Sequence, residues 1–167
     1  MKKLYPLLSV LFLIYLGCEE EPTSIHTLIK RGDVFYTIGK DNPHSGPVFS
    51  IHLNGQIERE GILKDGIEEG KWIKYYPNGK IKEEVLLKDG KKEGKWVHNF
   101  ENGQVKGIGH FNSGSGRMTW FNKEGHIIVE EIFMNGEKNG KWIKYYPNGQ
   151  LYEEGFYKDG IEEGKWI

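Results

Sequence analysis

Apolar and polar residues alternate in one pattern that returns along most of the chain. Gly70–Gly79 reads Gly-Lys-Trp-Ile-Lys-Tyr-Tyr-Pro-Asn-Gly, and the same string recurs at Gly140–Gly149. Looser copies start at Gly46, Gly94 and Gly116, and a stub starts at Gly164. Neighbouring starts lie 24 residues apart, except for one interval of 22. Such a period predicts a tandem structural repeat over residues 46–167.

Each copy predicts a β-hairpin. Its first half is rich in aromatic and β-branched residues, which favour strands. A two-residue type I′ turn needs positive φ at both positions, so Asn-Gly is the strongest short hairpin signal. These pairs stand at 54–55, 78–79, 102–103 and 148–149, with Glu124-Gly125 as a degenerate form. We expect about 11–12 strands and no helix beyond the first residues of the chain.

Two-residue turns would fix which residues face each other. In the second copy they place Tyr76 opposite Ile81, Lys74 opposite Glu83 and Trp72 opposite Val85. In the other copies the same position faces glycine, in the pairs Val48–Gly61, Trp96–Gly109 and Trp142–Gly155. The missing side chain of a glycine leaves room for an indole ring. A three-residue Pro-Asn-Gly turn with a bulge is the alternative, and it would pair Trp142 with Glu154.

The links between copies are interpreted as four-residue loops. The link closed by Asp89 and Gly94 then places Leu87 opposite Trp96. In the short third copy, a two-residue Gly-Ser turn at 114–115 would place Phe111 opposite Met118. Trp120 lies two residues later than its counterparts, and an even shift keeps a strand residue on the same face.

This register gathers aromatic side chains on the sheet face that carries Trp72, hereafter the aromatic face. Its predicted members are Trp72, Tyr76, Ile81, Leu87, Trp96, Phe100, Phe111, Trp120, Trp142, Tyr146, Leu151, Tyr157 and Trp166. The opposite face carries Tyr75, Leu86 and Tyr145 among lysines and glutamates. The predicted fold is all-β, an elongated single-layer antiparallel meander. Its candidate binding or packing residues are Trp72, Tyr76, Trp96, Phe100, Trp120, Trp142, Tyr146 and Trp166.

The first residues have the pattern of a secretory signal. A short cationic start precedes a 14-residue apolar run, Leu4–Gly17, which is too short for a bilayer core of about 30 Å. The string around Gly17-Cys18 resembles the bacterial lipoprotein signal, in which the cysteine is lipidated and becomes the new N-terminus. That resemblance implies a signal peptide at 1–17, a lipid anchor on Cys18 and a tether through residue 24. An uncleaved anchor or an ordinary signal peptide is the alternative.

The repeat itself resembles the bacterial variant of the MORN repeat, whose unit reads roughly Gly-x-Trp-x-x-Tyr-Tyr-x-x-Gly. Residues 46–167 carry this motif, and residues 25–45 look like the N-terminal cap of such proteins. The resemblance implies an elongated single-sheet meander. Many bacterial members carry the label of a YwqK-like antitoxin, which we interpret as a naming convention, because an exported lipoprotein is poorly placed to neutralise a cytosolic toxin.

Composition and motifs argue against catalysis and against nucleic acid. The chain has a net charge of −1 with both signs interspersed, which gives no electrostatic reason to bind nucleic acid. The adjacent glutamates at 83–84 and 153–154 recur in register, so we expect Glu83 and Glu153 to pair with Lys74 and Lys144 across the strands. The six histidines show no metal-ligand spacing, and no nucleophile motif, phosphate loop or cofactor motif is present.

These observations favour a binding or scaffold module on the cell envelope, held on the outer membrane, on its periplasmic side or at the cell surface. A protein partner is the leading expectation. A carbohydrate or peptidoglycan surface built from exposed aromatic residues is the second, and an antitoxin that binds a toxin protein is the third. Because the chain stops shortly after Trp166, we also expect its last strand to cover Tyr157 with this stub or to self-associate through a free edge.

Overall fold

The computed structural model of this chain describes residues 20–167. The predicted signal peptide and the predicted lipidation site Cys18 lie outside these residues. The strands are β1 (Thr23–Ser24), β2 (Leu28–Arg31), β3 (Val34–Thr37), β4 (Gly46–Ile51), β5 (Ile57–Lys64), β6 (Ile67–Tyr75), β7 (Ile81–Lys88), β8 (Lys91–Asn99), β9 (Val105–Asn112), β10 (Ser115–Phe121), β11 (Ile127–Met134), β12 (Glu137–Tyr145), β13 (Leu151–Lys158) and β14 (Ile161–Glu163).

Twelve of these strands form one sheet in the order β1-β4-β5-β6-β7-β8-β9-β10-β11-β12-β13-β14. From β4 onward each strand pairs antiparallel with the next, and only β1 runs parallel to its neighbour β4. Strands β2 and β3 form a separate hairpin. Within the described range the only helical element is the 3-10 turn Ile25–Thr27. The predicted all-β meander of successive hairpins is confirmed.

The turns at 54–55, 78–79, 102–103, 124–125 and 148–149 are all the three-residue kind, so the prediction of two-residue type I′ turns at these positions is wrong. The N–H of Tyr76 donates to the carbonyl of Lys80 and that of Gly79 donates to the carbonyl of Tyr76, both at 2.8 Å. Only Gly79 has positive φ, at 81°, whereas Asn78 does not. Pro77 favours this geometry because its fixed φ suits the first central position of a type I turn.

A second irregularity restores the predicted register beyond the turn. Lys74 pairs with Glu83 whereas Tyr75 pairs with Ile81, so Lys82 is an extra residue on β7. The prediction that Tyr76 opposes Ile81 is therefore wrong, while Trp72 does oppose Val85. Because Ile81 pairs with Tyr75 and Leu151 pairs with Tyr145, both aliphatic residues belong to the opposite face and not to the aromatic face.

The same two irregularities occur in the fifth copy, where they decide between the two predicted registers. Trp142 lies opposite Gly155 and Lys144 lies opposite Glu153, as predicted. The pairs Val48–Gly61 and Trp96–Gly109 also agree with the prediction. The three-residue turn and the unshifted pairing of Trp142 therefore exist together, because the extra residue after the turn compensates for it.

The links between hairpins are tight two-residue turns, which corrects the prediction of four-residue loops. Lys88 pairs with Lys91 across Asp89 and Gly90, whose φ values are 50° and 74°. Positive φ at both central positions defines the type I′ turn, which Asp-Gly favours. The same pair of positive φ values occurs at 65–66, 113–114, 135–136 and 159–160.

Most links are followed by a bulge of two residues. On β8, Glu93 pairs with Leu86 and Trp96 pairs with Val85, so Gly94 and Lys95 are extra. Trp96 therefore lies opposite Val85 and not opposite Leu87 as predicted. The shift of two residues preserves the side-chain parity, which is why the assignment of Trp96 to the aromatic face survives the error.

The interval of 22 residues arises because the link between β9 and β10 lacks this bulge. The turn is Ser113-Gly114, and Gly116 pairs with Phe111 while Met118 pairs with Gly109 without any shift. The prediction of a Gly-Ser turn that pairs Phe111 with Met118 is wrong by two residues. The even error again leaves both side chains on the aromatic face.

Successive link turns are hydrogen-bonded to each other along one edge of the sheet. The N–H of Gly90 donates to the carbonyl of Glu68 at 3.0 Å, and that of Gly114 donates to the carbonyl of Lys92 at 2.8 Å. The N–H of Asp89 donates to the Glu69 carboxylate at 2.8 Å, and that of Ser113 donates to the Glu93 carboxylate at 2.7 Å. These bonds tie each repeat to the next and satisfy turn groups that would otherwise face solvent.

The core is a single row of side chains on the aromatic face. Its buried members are Ile25, Val48, Leu63, Trp72, Val85, Leu87, Trp96, Phe111 and Met118. At the N-terminal end of the sheet, Ile25, Leu28 and Phe35 come from residues 25–45 and pack against this row. The N–H of Phe35 donates to the carbonyl of Gly66 at 2.9 Å, which joins β3 to the first link. Residues 25–45 therefore cover the start of the aromatic face.

Candidate binding surfaces

The predicted candidate residues differ in how much of each side chain reaches solvent. Trp72 is 3% exposed and Trp96 is 9% exposed, so both rings are core. Trp120, Trp142 and Trp166 are half-buried, as are Tyr76 and Phe100. Tyr146 is 46% exposed. Trp72 and Trp96 therefore pack the fold, and Tyr146 is the most exposed of the candidate residues.

The rings along the aromatic face contact each other from strand to strand. Trp96 lies 5.8 Å from Phe111 and 6.0 Å from Trp120, measured between ring centroids. Trp142 lies 5.2 Å from Trp166. Tilted and edge-on pairs at these distances stabilise by about 0.5–1.5 kcal/mol each beyond the burial of their area. A row of such contacts explains how a single-layer sheet keeps its tryptophans in place.

Basic side chains cover the buried rings in place of a second protein layer. The guanidinium of Arg59 lies 5.2 Å from the Trp72 ring and forms an ion pair with Glu68 at 3.2 Å. The ammonium of Lys92 lies 3.2 Å from the Trp96 ring centroid. Burial lowers the pKa of Lys92, and the nearby Glu83 opposes this effect. Cation–π contact and the aliphatic stems of these residues shield the rings from water.

Glu131 is a buried carboxylate on the aromatic face that sequence reasoning missed. It is 7% exposed, accepts a 2.6 Å hydrogen bond from the Trp120 indole N–H and pairs with Lys138 at 2.8 Å. Gly61, Val85, Gly109 and Gly155 occupy the equivalent positions of the other copies. A charged residue where every other copy has glycine or valine was the signal that could have revealed it.

An exposed pair of tyrosines lies at the C-terminal end of the aromatic face. The rings of Tyr146 and Tyr152 are 4.8 Å apart and meet edge-on at 84°. The ammonium of Lys144 lies 4.4 Å from the Tyr152 ring. The predicted cross-strand pair of Lys74 with Glu83 forms at 3.1 Å. Lys144 lies opposite Glu153, but its ammonium contacts the Tyr152 ring and the predicted ion pair between Lys144 and Glu153 does not form.

The opposite face carries a row of carboxylates, each with a neighbour to satisfy it. The hydroxyl of Tyr75 donates to Glu60 and that of Tyr145 donates to Glu130, both at 2.7 Å. The bond to Glu130 raises the pKa of Tyr145 to about 12, with burial as the second cause.

Glu84 and Glu154 belong to the same row, and each forms an ion pair with a lysine. Glu84 pairs with Lys71 at 3.1 Å, and Glu154 pairs with Lys141 at 2.8 Å. The glutamates at 83–84 and 153–154 thus point to different faces and neighbour different partners. Such an arrangement holds strands together and does not bring two carboxylates to one reacting atom.

Residues 20–167 contain no group of three or more histidine, cysteine or acidic side chains close enough to hold a metal ion. None of their helical segments has the length and apolar character that a membrane crossing requires. Three hollows of this part of the chain are shallow and open, with volumes of about 450–570 Å³.

Comparison with protein families agrees with the hairpin architecture. Residues 68–89, 92–113 and 138–159 match the MORN repeat variant. Each begins near a Gly-Lys-Trp string and ends at a link turn, so one matched unit corresponds to β6–β7, β8–β9 or β12–β13. The irregular region 114–137, which lacks the bulge and carries Glu131, is not among the matched segments. No curated protein matches the chain.

Proposed function

We propose that this chain is a protein-binding or scaffold module that is anchored in the cell envelope through a lipid on Cys18. MORN repeats are generally associated with binding to proteins or membranes. The observation that carries the proposal is the single-layer sheet of twelve strands. At about 4.8 Å per strand it extends roughly 50 Å, and no second layer covers its opposite face.

The carboxylates and cations of the chain support binding over catalysis. The charged pairs recur from repeat to repeat and are used in strand-to-strand contacts, as in Lys71–Glu84 and Lys141–Glu154. A catalytic centre needs convergent groups with unequal environments in a concave site. We therefore propose no enzymatic activity and no cofactor for this protein.

Carbohydrate binding is the second candidate, and the exposed Tyr146–Tyr152 pair favours it. Exposed aromatic rings can stack on sugars, and Lys144 stands beside them. The buried Trp72 and Trp96 are not open to a sugar in this arrangement. If peptidoglycan is the ligand, the protein should sediment with purified sacculi, and the double variant Tyr146→Ala/Tyr152→Ala should remain in the supernatant. An antitoxin role, the third candidate, would require a cytosolic location and a toxin partner.

The lipid anchor predicts a specific change in location. Two or three buried acyl chains contribute about 0.8 kcal/mol per CH₂, which is enough to hold a protein on a membrane. Cys18→Ser should move the protein from the membrane fraction to the soluble fraction of the envelope. Retention of the serine variant on membranes would refute lipidation as the anchor.

The partner class is tested by a crosslinking pull-down of the lipidated protein from its native envelope. We expect a discrete protein that is absent from a parallel pull-down of the Cys18→Ser variant. Recovery of peptidoglycan fragments in its place would favour the carbohydrate alternative.

A further inference from the structure

The row of carboxylates on the opposite face is interrupted at one place. Glu60, Glu84, Glu130 and Glu154 occupy the same position in four hairpins, and Ile108 occupies it in the hairpin between them. The tyrosine that would bond this carboxylate is replaced as well. Phe121 stands where Tyr75 and Tyr145 stand, one residue before the turn. Both halves of a hydroxyl–carboxylate pair are thus exchanged for apolar side chains.

The exchange leaves a shallow apolar hollow of about 570 Å³ on the opposite face. Its floor and rim include Ile108, Thr119, Phe121, Ile127, His110 and Arg117. Ile127 is 40% exposed. Gly116 also lines the hollow. The hollow lies in the part of the chain where the repeat pattern breaks.

The same exchange removes the carboxylate that would pair with one lysine. Lys71 and Lys141 form ion pairs with Glu84 and Glu154. Lys95 is their counterpart on β8, and the residue it would reach is Ile108, so no ion pair forms there among the described residues.

Two more basic residues extend this group along the rim of the hollow. Lys95 pairs with His110 in the sheet, and His110 pairs with Arg117 on the next strand. The three side chains are exposed and follow each other at the strand spacing of about 5 Å. An apolar hollow beside the exposed cations Lys95 and Arg117 is complementary to an apolar side chain flanked by carboxylates.

We propose that this patch, formed by Lys95, Ile108, His110, Arg117, Phe121 and Ile127, is the docking site for an acidic peptide segment of a partner protein. The segment places a bulky apolar side chain in the hollow and carboxylates against Lys95 and Arg117. This proposal rests on the proposed protein-binding function and gives it a location and a partner chemistry.

Fluorescence anisotropy with defined peptides tests the patch on the full-length chain purified in detergent. The probe is a fluorescein-labelled peptide, Gly-Ser-Asp-Glu-Phe-Glu-Asp-Ser-Gly. One comparator has lysine in place of each acidic residue, and another has serine in place of phenylalanine. We expect saturable binding of the acidic phenylalanine peptide and at least tenfold weaker binding of both comparators. Equal binding of the serine comparator would reduce the patch to a general anion site and overturn the proposal.

Substitutions in the protein locate the binding and provide the control. Lys95→Glu and Arg117→Glu should each weaken peptide binding at least tenfold, and Ile108→Glu, which restores the carboxylate of the other repeats, should do the same. Lys71→Glu is the matched control, because Lys71 holds the same position in a repeat that keeps its glutamate, and it should change affinity less than twofold. Equal loss with Lys71→Glu would overturn the assignment.

Failure of the patch and failure of the proposed function give different results. A protein partner that crosslinks to the aromatic face, together with absent peptide binding, would remove the patch and leave the protein-binding function in place. Variants with unchanged circular dichroism and unchanged melting temperature exclude unfolding as the cause of lost binding.

Discussion

At the residue scale, the tryptophans of the aromatic face depend on glycines in the neighbouring hairpin. A side chain at Gly61 would overlap the ring of Trp72, and one at Gly155 would overlap the ring of Trp166. Both contacts cross a link between hairpins. The pairing of Trp142 with Gly155 was predicted from a two-residue turn, and it holds because an extra residue on β13 compensates for the three-residue turn. The predicted pairing did not show which ring fills the space beside the glycine, because that depends on the bulges after the links.

Gly61→Val should therefore destabilise the protein through overpacking against Trp72. Inserting methyl groups into a filled core costs about 1–3 kcal/mol. Gly155→Val should cost less, since Trp166 is half-buried and can move. Urea unfolding of residues 20–167 measures both changes. In a Trp166→Ala background Gly155→Val should lose most of its cost; an unchanged cost there would show that Trp166 is not the ring it meets.

Tyr145 provides a titration test of the opposite face. Its hydroxyl donates to Glu130, which raises its pKa from 10.0 to about 12. Between these values the folded chain holds a proton that the unfolded chain has lost, so this group makes stability fall as pH rises from 10 to 12. The difference in absorbance at 295 nm between the wild type and Tyr145→Phe should titrate near 12. Glu130→Gln should lower this midpoint; a midpoint near 10 in the wild type would contradict the bond.

At the element scale, the two kinds of turn differ from the prediction in opposite ways. The Asn-Gly turns are longer than the predicted two residues, and the links between hairpins are shorter than the predicted four. Asn-Gly and Asp-Gly are both signals for type I′ turns. The Asn-Gly pairs at 54–55, 78–79, 102–103 and 148–149 all form three-residue turns, with or without a preceding proline, so proline alone does not separate them from Asp89-Gly90. The hairpins and most of the faces could be predicted because each error shifts the register by an even number or is compensated within the same hairpin. Ile81 and Leu151, which lie beside the bulges, are the exceptions. The bulges could not be predicted, since they depend on bonds to residues about 20 positions away.

A pair of glycine substitutions distinguishes the two turns. Asp89 has a φ of 50°, so Asp89→Gly removes strain and should change stability by less than about 0.5 kcal/mol. Asn78 lacks positive φ, and its side-chain oxygen accepts the N–H of Lys80 at 3.0 Å. Asn78→Gly should cost about 1 kcal/mol, because it removes this bond and adds freedom to the unfolded chain. Chemical denaturation compares them; a greater cost for Asp89→Gly would reverse the assignment of the turns.

At the scale of the whole molecule, regular repeats build the sheet and departures from them create candidate sites. The short interval of 22 residues, Ile108 and Glu131 all lie within or beside the region that does not match the MORN repeat variant. Periodicity predicts what the copies share, which is the fold. It cannot show how Phe121, Ile108 and Arg117 meet in space, because their spacing depends on the missing bulge. The surface that differs from the repeat could therefore be recognised only in the structure.

The C-terminal stub folds back on the sheet in this structure. Trp166 contacts Tyr157 at 5.3 Å, and Ile167 exchanges two backbone hydrogen bonds with Glu154. Strand β14, which precedes the stub, exposes Ile161. We predict weak self-association through this edge, which sedimentation velocity should detect as a concentration-dependent increase in mean mass. A single monomeric species across the whole concentration range would contradict this prediction.

The most direct test of the central claim, that this sheet binds a protein, is photo-crosslinking in intact cells. A photoreactive amino acid replaces Thr119 on the opposite face, its counterpart Ile143, or Tyr146 on the aromatic face of the full-length chain. Illumination should produce a discrete protein adduct from at least one position, and the patch predicts it at 119 and not at 143. The absence of protein adducts from all three positions, or adducts with glycan alone, would contradict the claim.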